Sequence, residues 1–171
     1  MRLSLNEIVV RDFLEIDIKK KVEWINDPRN NTFLHYDIPL SIEKTLNWFH
    51  NRNLNNRIDC TIECAGVAVG LIGLLNIDLS NLKAEYYITI GDVSVKRKGV
   101  ATTASKLILD YAFNTLKMNK VYLNVDADNV AACKLYEKLG FKCEGFFEKD
   151  ILHNGVFIDR KRYAYFKEDF V

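Results

Sequence analysis

The residues with the clearest chemistry are three consecutive cations that stand directly before a glycine and a small residue, in the run KRKGVA at 96–101. A helix is predicted to start here, and the free N–H groups of a first helical turn point toward a ligand while the helix dipole favours negative charge. Gly99 and the small Ala101 allow close approach of the backbone, so amides from about Lys98 to Thr103 can surround a phosphate. The run predicts a phosphate-binding turn; a solvated basic loop is the alternative.

A second stretch of interest is NVAACKLYEKLGF at 129–141. Asn129 is typical of a helix N-cap and Gly140 of a left-handed C-cap, so the pattern predicts a helix over Val130–Leu139. Its tyrosine, Tyr136, either packs in the core or reaches a reacting group. The first stretch is not a P-loop or a dinucleotide fingerprint, because it has a single glycine. Taken together, in this order and separated by one helix and one strand, the two stretches favour a functional interpretation of both.

The pair resembles the GNAT superfamily of acetyl-CoA-dependent N-acetyltransferases. That family's phosphate motif is Gln/Arg-x-x-Gly-x-Gly/Ala, and here Lys96 stands where Gln or Arg is usual. The family's second motif, Asn-x-x-Ala-x-x-Leu-Tyr-x-x-x-Gly-Phe, is matched in full by residues 129–141. The resemblance covers about residues 7–167. Stretches at 24–28 and 39–49 resemble the subgroup that contains the ribosomal-protein N-terminal, polyamine and nucleotide-linked amino-sugar acetyltransferases.

The resemblance implies a GNAT fold of the α/β (α+β) class in a single N-acetyltransferase domain, residues 1–171. A mixed, mostly antiparallel twisted sheet of about seven strands would carry about four helices on its faces and splay between its fourth and fifth strands. Periodicity and turn residues predict elements in a matching order. The predicted strands are Leu3–Val10, Arg57–Cys64, Val67–Asn76, Ala84–Val93, Lys120–Val125, Phe141–Lys149 and Val156–Lys167, and the predicted helices are Ile16–Ile25, Ile42–Asn51 after the N-cap Ser41, Gly99–Lys117 and Val130–Leu139.

Acetyl-CoA is the cosubstrate that the resemblance implies. Backbone groups of Val93 and Val95 would pair with the pantetheine arm, and the Val93 N–H would stabilise the oxyanion of a tetrahedral intermediate. Asn129 would contact the pantetheine or hold the helix start, and Tyr136 would be the general acid that protonates the departing CoA. The positions implied for the pyrophosphate are Lys96, Arg97, Lys98, Gly99, Val100, Ala101 and Thr102.

The acceptor amine must be neutral to attack, so a base is expected as well. Glu85 is the first candidate, because strand alternation places it on one face with Tyr87 and Thr89, and a carboxylate there resembles the base of several family members. A solvated charge is the alternative for Glu85, and Asp126 is the second candidate base. Two loop residues are expected only in the wall of the acceptor site: His35 and Tyr36.

The leading prediction is an enzyme that transfers acetyl from acetyl-CoA to a primary amine of a small molecule, either a nucleotide-linked amino sugar or a polyamine. The N-terminus of a protein, such as a ribosomal protein, is the alternative acceptor. A binding module that senses acyl-CoA and a generic nucleotide binder are the non-enzymatic alternatives. Four aromatic residues either pack against a base or sugar ring or belong to the core: Phe33, Tyr36, Trp48 and Tyr87.

Composition narrows the remaining classes. The 24 Lys and Arg against 23 Asp and Glu leave the chain almost neutral, which argues against a nucleic-acid partner. The sequence contains no apolar run of transmembrane length, and its first residues lack the apolar core of a signal peptide, so neither a membrane partner nor export is expected and the location expected is the cytoplasm. The four cysteines and three histidines make no metal-ligand spacing, so no metal is expected. Family members often form dimers, so a homodimer is possible.

Overall fold

Strands that mostly pair in chain order form the centre of the molecule. The computed structural model describes residues 1–170, which contain eight strands and four α-helices. The strands are β1 (Arg2–Leu5), β2 (Ile8–Asp12), β3 (Ile58–Cys64), β4 (Val67–Asp78), β5 (Lys83–Ile90), β6 (Lys120–Asp126), β7 (Lys142–His153) and β8 (Val156–Phe166), and the helices are α1 (Ile18–Asn26), α2 (Ile42–Asn51), α3 (Val100–Asp110) and α4 (Val130–Leu139). The sheet order is β1-β2-β3-β4-β5-β6-β8-β7. The predicted mixed, mostly antiparallel sheet with four helices is confirmed.

The sheet carries helices on both faces, because neighbouring residues of a strand point to opposite sides. Tyr86 of β5 faces α3 and α4; its hydroxyl lies 2.6 Å from Ser105 Oγ and its ring contacts Tyr136 edge-on. Tyr87 points the other way and joins the apolar cluster that Trp48 and other residues of α1 and α2 form with the sheet. The larger core lies on the α3 and α4 face. No helix within residues 1–170 has both the length and the apolarity to cross a bilayer.

β5 and β6 are neighbours in the middle of the sheet but pair over a short distance only. Lys83–Glu85 pairs in parallel with Lys120–Tyr122, and the ladder ends there. β5 then follows β4 as far as Ile90, while β6 follows β8 as far as Asp126. Because each strand stays with its antiparallel partner, the two separate and leave an opening in the sheet. This confirms the predicted splay between these two strands.

Two glycines let aromatic side chains lie directly against the sheet. A Cβ at Gly73 would be 2.1 Å from the Ile58 carbonyl oxygen and 2.7 Å from the Tyr87 ring. A Cβ at Gly91 would be 2.1 Å from the Trp24 ring. These separations are far below van der Waals contact, so both positions need glycine. Trp24 of α1 thereby covers the end of β5, beside the opening.

The helix boundaries with a capping residue follow the sequence closely. Ser41 Oγ accepts the Lys44 N–H at 3.1 Å and starts α2. Asn129 Oδ1 accepts the Ala132 N–H at 3.2 Å and starts α4, which ends at Gly140 with φ 106°. These three predictions are confirmed. The predicted helix Gly99–Lys117 is wrong at its end, because α3 stops at Asp110 and the chain continues as one π-helical turn.

Two strand predictions are wrong in part. The predicted single strand Leu3–Val10 is a hairpin, because Asn6 takes a left-handed φ of 54° and turns β1 back onto β2; this raises the strand count from seven to eight. The strand predicted to reach Val93 ends at Ile90. The N–H groups of Gly91 and Asp92 both donate to the Val69 carbonyl, and a 3₁₀ turn then follows.

A buried carboxylate fixes the start of α1 to the sheet. Asp17 accepts hydrogen bonds from Arg11 at 2.7 and 2.9 Å, from the Leu14 N–H at 2.9 Å and from Thr61 Oγ1 at 2.9 Å. Burial alone would raise the pKa of Asp17, but these hydrogen bonds and the charge of Arg11 outweigh it and lower the pKa. The orientation of α1, which carries Trp24 to the opening, depends on this network.

We predict that Asp17→Asn destabilises the protein by about 3 kcal/mol, because it leaves a half-buried guanidinium with fewer acceptors. Urea unfolding measures the effect, and Glu23→Gln, on the exposed side of the same helix, is the matched control. Since the folded-state pKa of Asp17 is lowered, its stabilisation is present above the unfolded pKa of about 4 and is lost as the pH falls below it. A gap between variant and parent that does not shrink at low pH would contradict this account.

Candidate active site

A cavity of about 920 Å³ opens where β5 and β6 separate. Its walls come from both faces of the sheet: the basic turn before α3 and the inner side of α4 on one face, and α1, α2 and the loop at 29–40 on the other. The opening in the sheet joins the two halves. The predicted phosphate turn therefore shares one cavity with the side chains of the α1 face.

The start of α3 presents a set of free backbone donors. Within residues 1–170, no backbone acceptor pairs with the N–H groups of Arg97, Gly99, Val100, Ala101 and Thr102. Arg97 and Gly99 have left-handed φ values of 65° and 82°, which direct nearby N–H groups to one side. A Cβ at Gly99 would meet no atom within 4 Å, so open space lies against the turn. Such a cradle fits an anion the size of a phosphate.

The three cations before Gly99 take different positions. Lys96 and Arg97 line the cavity, whereas Lys98 does not, and the Lys98 N–H donates to the Val95 carbonyl at 3.3 Å. Lys96 Nζ donates to Asn30 Oδ1 at 2.7 Å and so ties the turn to the loop that follows α1. This contact gives a local reason for lysine at the position where the family usually has Gln or Arg.

The edge of β5 that faces the opening carries unpaired backbone groups. The Gly91 N–H is directed to β4, and the Leu82 carbonyl accepts the Lys120 N–H on the β6 side. Since successive residues of a strand direct their backbone groups to alternate sides, Ile88 and Ile90 present theirs toward β6. The β6 ladder has ended at that point, so these groups border the cavity.

The two valines expected to pair with pantetheine lie beyond this edge, in the 3₁₀ turn Val93–Val95. Val95 lines the cavity and Val93 does not. The Val93 carbonyl accepts the Lys96 N–H at 3.3 Å, and the Val95 N–H donates to the Asp92 carbonyl at 3.4 Å. Their roles at the pantetheine stay predictions, and the strand residues Ile88 and Ile90 are the ones that sequence reasoning missed.

Tyr136 lies on α4 with its ring 8% exposed, packed against Tyr86, Phe141 and Tyr163. Its side chain lines the cavity, and within residues 1–170 its hydroxyl makes no hydrogen bond. Burial, with a smaller contribution from Cys133, raises the pKa of Tyr136 well above its ordinary value. The hydroxyl therefore keeps its proton at neutral pH, as a proton donor must. Its catalytic role stays a prediction.

Glu85 and Asn129 occupy opposite ends of the predicted site. Asn129 lines the cavity, where its side chain caps α4. Glu85 does not line the cavity; its carboxylate accepts from Asn76 Nδ2 at 2.7 Å and from Asn124 Nδ2 at 3.2 Å. Asn124 does line the cavity, so Glu85 borders the site through this amide. The assignment of Glu85 as the base stays a prediction.

A histidine and an aspartate that are 91 positions apart meet in the cavity wall. His35 Nε2 lies 2.8 Å from Asp126 Oδ1, and the side chains are 25% and 9% exposed. The His35 ring also contacts His153, in the hairpin between β7 and β8, at 4.8 Å between centroids. The sequence predicts His35 as a wall residue and Asp126 as a candidate base, but no spacing pattern predicts that the two side chains pair. An imidazole oriented by a carboxylate is a common arrangement for a general base.

The part of the chain that the structure describes has no set of side chains that could bind a metal ion together. Residues 1–170 contain no group of three or more His, Cys, Asp or Glu side chains placed to hold an ion. The four cysteines are free thiols. What the cavity offers is backbone donors for an anion, a protonated tyrosine and a histidine–aspartate pair.

Fold and site define an α/β protein with a cavity beside two diverging strands and free backbone donors at one end of that cavity. A family model described as the acetyltransferase (GNAT) domain matches residues 2–142, and the chain belongs to this family. The predicted resemblance is confirmed. A crystal structure of spermidine N-acetyltransferase from Vibrio cholerae in complex with CoA and spermine superimposes with a TM-score of 0.88 at 25% identity, covering 97% of this chain and 99% of that chain.

Two curated relatives share significant sequence similarity. Spermidine N(1)-acetyltransferase of Escherichia coli (strain K12) is 36% identical over 110 residues, which are 64% of this chain and 59% of that protein. Spermidine N(1)-acetyltransferase of Vibrio cholerae serotype O1 is 30% identical over 141 residues, 81% of each chain. The chain thus spans about 59% of the length of the Escherichia coli relative that it matches.

We predict that Gly99→Ala weakens CoA binding about 10- to 100-fold, because a Cβ would enter the space beside the free amides and the left-handed φ would be strained. Isothermal titration with CoA measures the effect. Gly66→Ala is the matched control, since Gly66 has φ 79° and equally open surroundings but lies in the hairpin between β3 and β4. Both variants should lose about 1 kcal/mol of stability, and equal CoA affinities would remove Gly99 from the binding site.

Proposed function

We propose that the protein is an N-acetyltransferase that moves the acetyl group of acetyl-CoA onto a primary amine of a small molecule. One observation carries the proposal: the free amides at the start of α3, the unpaired edge of β5 and the Tyr136 hydroxyl all border one cavity. Membership of the acetyltransferase family supports it. The cavity also continues to the α1 face, where an acceptor has room.

The residues present fit coenzyme A. The pyrophosphate suits the N–H groups of Gly99, Val100 and Ala101 together with the Arg97 side chain. The amides of the pantetheine arm suit the backbone edge at Ile88 and Ile90, as an added strand would. When bound, acetyl-CoA supplies an acetyl group already activated as a thioester. Further positions expected along its path are Val93, Val95, Lys96, Lys98, Thr102 and Asn129.

Side chains of the protein then transfer two protons, one to the leaving thiolate and one from the attacking amine. Tyr136 keeps its hydroxyl proton and donates it to the sulfur of the leaving thiolate. The amine must lose a proton before it attacks, and His35, oriented by Asp126, takes it. Glu85 is the alternative base, acting through a water at the cavity wall. The His35–Asp126 pair is favoured because both of its members line the cavity.

Relatives named spermidine N-acetyltransferase make polyamines the first acceptors to test, followed by amino sugars linked to nucleotides and peptides with a free N-terminus. The assay measures CoA release with acetyl-CoA and each amine, and mass spectrometry of the product shows a gain of one acetyl group. Acetyl-CoA binding without turnover of any amine would contradict the enzyme and favour an acyl-CoA-sensing module.

We predict that Tyr136→Phe lowers kcat about 10²–10⁴-fold, with little change in the KM for acetyl-CoA, because it removes a proton donor and leaves the ring in place. Steady-state kinetics with the best acceptor measure the effect. Tyr163→Phe is the control, since Tyr163 is also buried in the same aromatic cluster but its hydroxyl donates to Glu137 at 2.8 Å. Full turnover by Tyr136→Phe with an unchanged pH profile would make Tyr136 a packing residue.

The base is identified by comparing Asp126→Asn with Glu85→Gln. We predict that Asp126→Asn lowers kcat/KM about 10²-fold below pH 7 and recovers as the pH rises, because the amine then loses its proton without help. Glu85→Gln should keep most of the activity, since its amide oxygen can still accept one of the two asparagine hydrogen bonds. The reverse ranking would assign the base to Glu85.

A further inference from the structure

The end of the cavity on the α1 face contains the ammonium of a largely buried lysine. Lys21 of α1 is 8% exposed, and within residues 1–170 its Nζ forms neither a hydrogen bond nor an ion pair. The Nζ lies 3.5 Å from the centroid of the Trp48 ring, which covers one side of the charge. The ammonium has three N–H donors, and Lys21 lines the cavity, so a ligand there could accept from them.

The carboxylate whose charge acts on Lys21, that of Asp59, already has other partners. Its Oδ1 accepts from Arg57 at 2.7 Å and from the Tyr87 hydroxyl at 2.9 Å. Its Oδ2 accepts from Arg57 Nε at 2.8 Å and lies 3.5 Å from Arg52 Nε. One guanidinium and a phenol therefore donate three hydrogen bonds to Asp59, and Lys21 donates none. Arg52, Arg57 and Lys21 place three cations around one carboxylate.

A smaller cavity of about 360 Å³ adjoins Lys21, and its lining also contains more cationic than anionic side chains. Three of the residues that line it are cationic, Lys21, Lys44 and Arg57, and none is acidic. We call these three residues the anion corner. Burial and the charges of Arg57 and Arg52 lower the pKa of Lys21 to about 8, against the opposing effect of Asp59. Asp59 is the counter-ion of Arg57, so the single carboxylate does not balance all the cations around it and the corner keeps an excess of positive charge.

We propose that the anion corner binds a carboxylate or phosphate carried by the acceptor, so that the amine acetylated is one attached to an anionic group. This inference rests on the proposed function and narrows its substrate class. An anion there would accept the free Lys21 donors and offset the excess charge, whereas a polyamine would add further cations. Within the two cavities, a polyamine would find only Asp59 and Asp126, which already have partners.

Matched acceptors test the charge directly. Glucosamine 6-phosphate against glucosamine isolates a phosphate, L-alanine against alaninamide isolates a carboxylate, and a nucleoside-diphosphate-linked amino sugar and spermidine complete the set. The parent protein should use the charged member of at least one pair with a kcat/KM about 10- to 100-fold higher. A preference for spermidine over every anionic amine would overturn the proposal.

The matched variants are Lys21→Met and Lys19→Met, which remove one charge each from the buried and the exposed side of α1. Lys21→Met should abolish the preference for the charged acceptor by raising its KM, and should leave the KM for acetyl-CoA unchanged. Lys19→Met should behave as the parent. A preference that survives in Lys21→Met would overturn the proposal, even if the enzyme proved fully active.

A binding experiment separates this inference from the proposed function. Trp48 lies under Lys21, so tryptophan fluorescence is expected to report occupation of the corner by inorganic phosphate. The parent and Lys19→Met should give a saturable change, and Lys21→Met should give none. If no amine is acetylated, the proposed function is rejected, but this titration still shows whether the anion corner binds an anion. Identical titration curves for parent and Lys21→Met would reject it.

Discussion

The separation of β5 from β6 is the constraint on which the site depends. A parallel pair that ends after three residues leaves backbone donors and acceptors of two central strands without partners in the middle of the sheet. Such groups are costly unless something pairs with them, so the opening favours an extended ligand with amides of its own. The free N–H groups at the start of α3 lie at the same cavity and extend the binding surface to an anion.

Contacts made by α1 keep this opening in shape. Trp24 packs against Gly91 at the end of β5, and Asn30 donates to the Gly91 carbonyl at 2.8 Å while it accepts from Lys96 at 2.7 Å. The strand end, the basic turn and the loop after α1 are thus joined by one amide side chain. Since Asp17 fixes the start of α1, a substitution of that buried carboxylate is expected to change the shape of both halves of the cavity.

The sequence predicts well what is encoded locally. The caps at Ser41 and Asn129 and the left-handed Gly140 were predictable because each depends on a residue type at one position. The N-terminal hairpin at Asn6 and the early end of β5 were not, since a left-handed asparagine and a shared carbonyl acceptor leave no periodic signal. The family motifs were recognisable for the same local reason, and they describe the cofactor side of the site.

The acceptor side is built from pairs that are distant in the chain. His35 meets Asp126, and the Tyr87 hydroxyl reaches Asp59, only because loops and strands that are distant in the chain close on one cavity. Polar contacts of this kind follow no spacing rule, so the sequence could name His35 as a wall residue without its partner. Lys21 was missed altogether, since a lysine in an amphipathic helix ordinarily lies in solvent.

Overall charge also conceals the imbalance at the acceptor end. A chain with net charge +1 suggests no preference for an ionic ligand, yet the anion corner contains three cations and no carboxylate. Family membership supports the cofactor half of the cavity as proposed above, which is made of backbone groups that tolerate many side chains. The acceptor half is made of side chains, so a relative 36% identical over part of its length can share the first without sharing the second. Substrate class therefore has to be inferred from the charges that line this chain's own cavity.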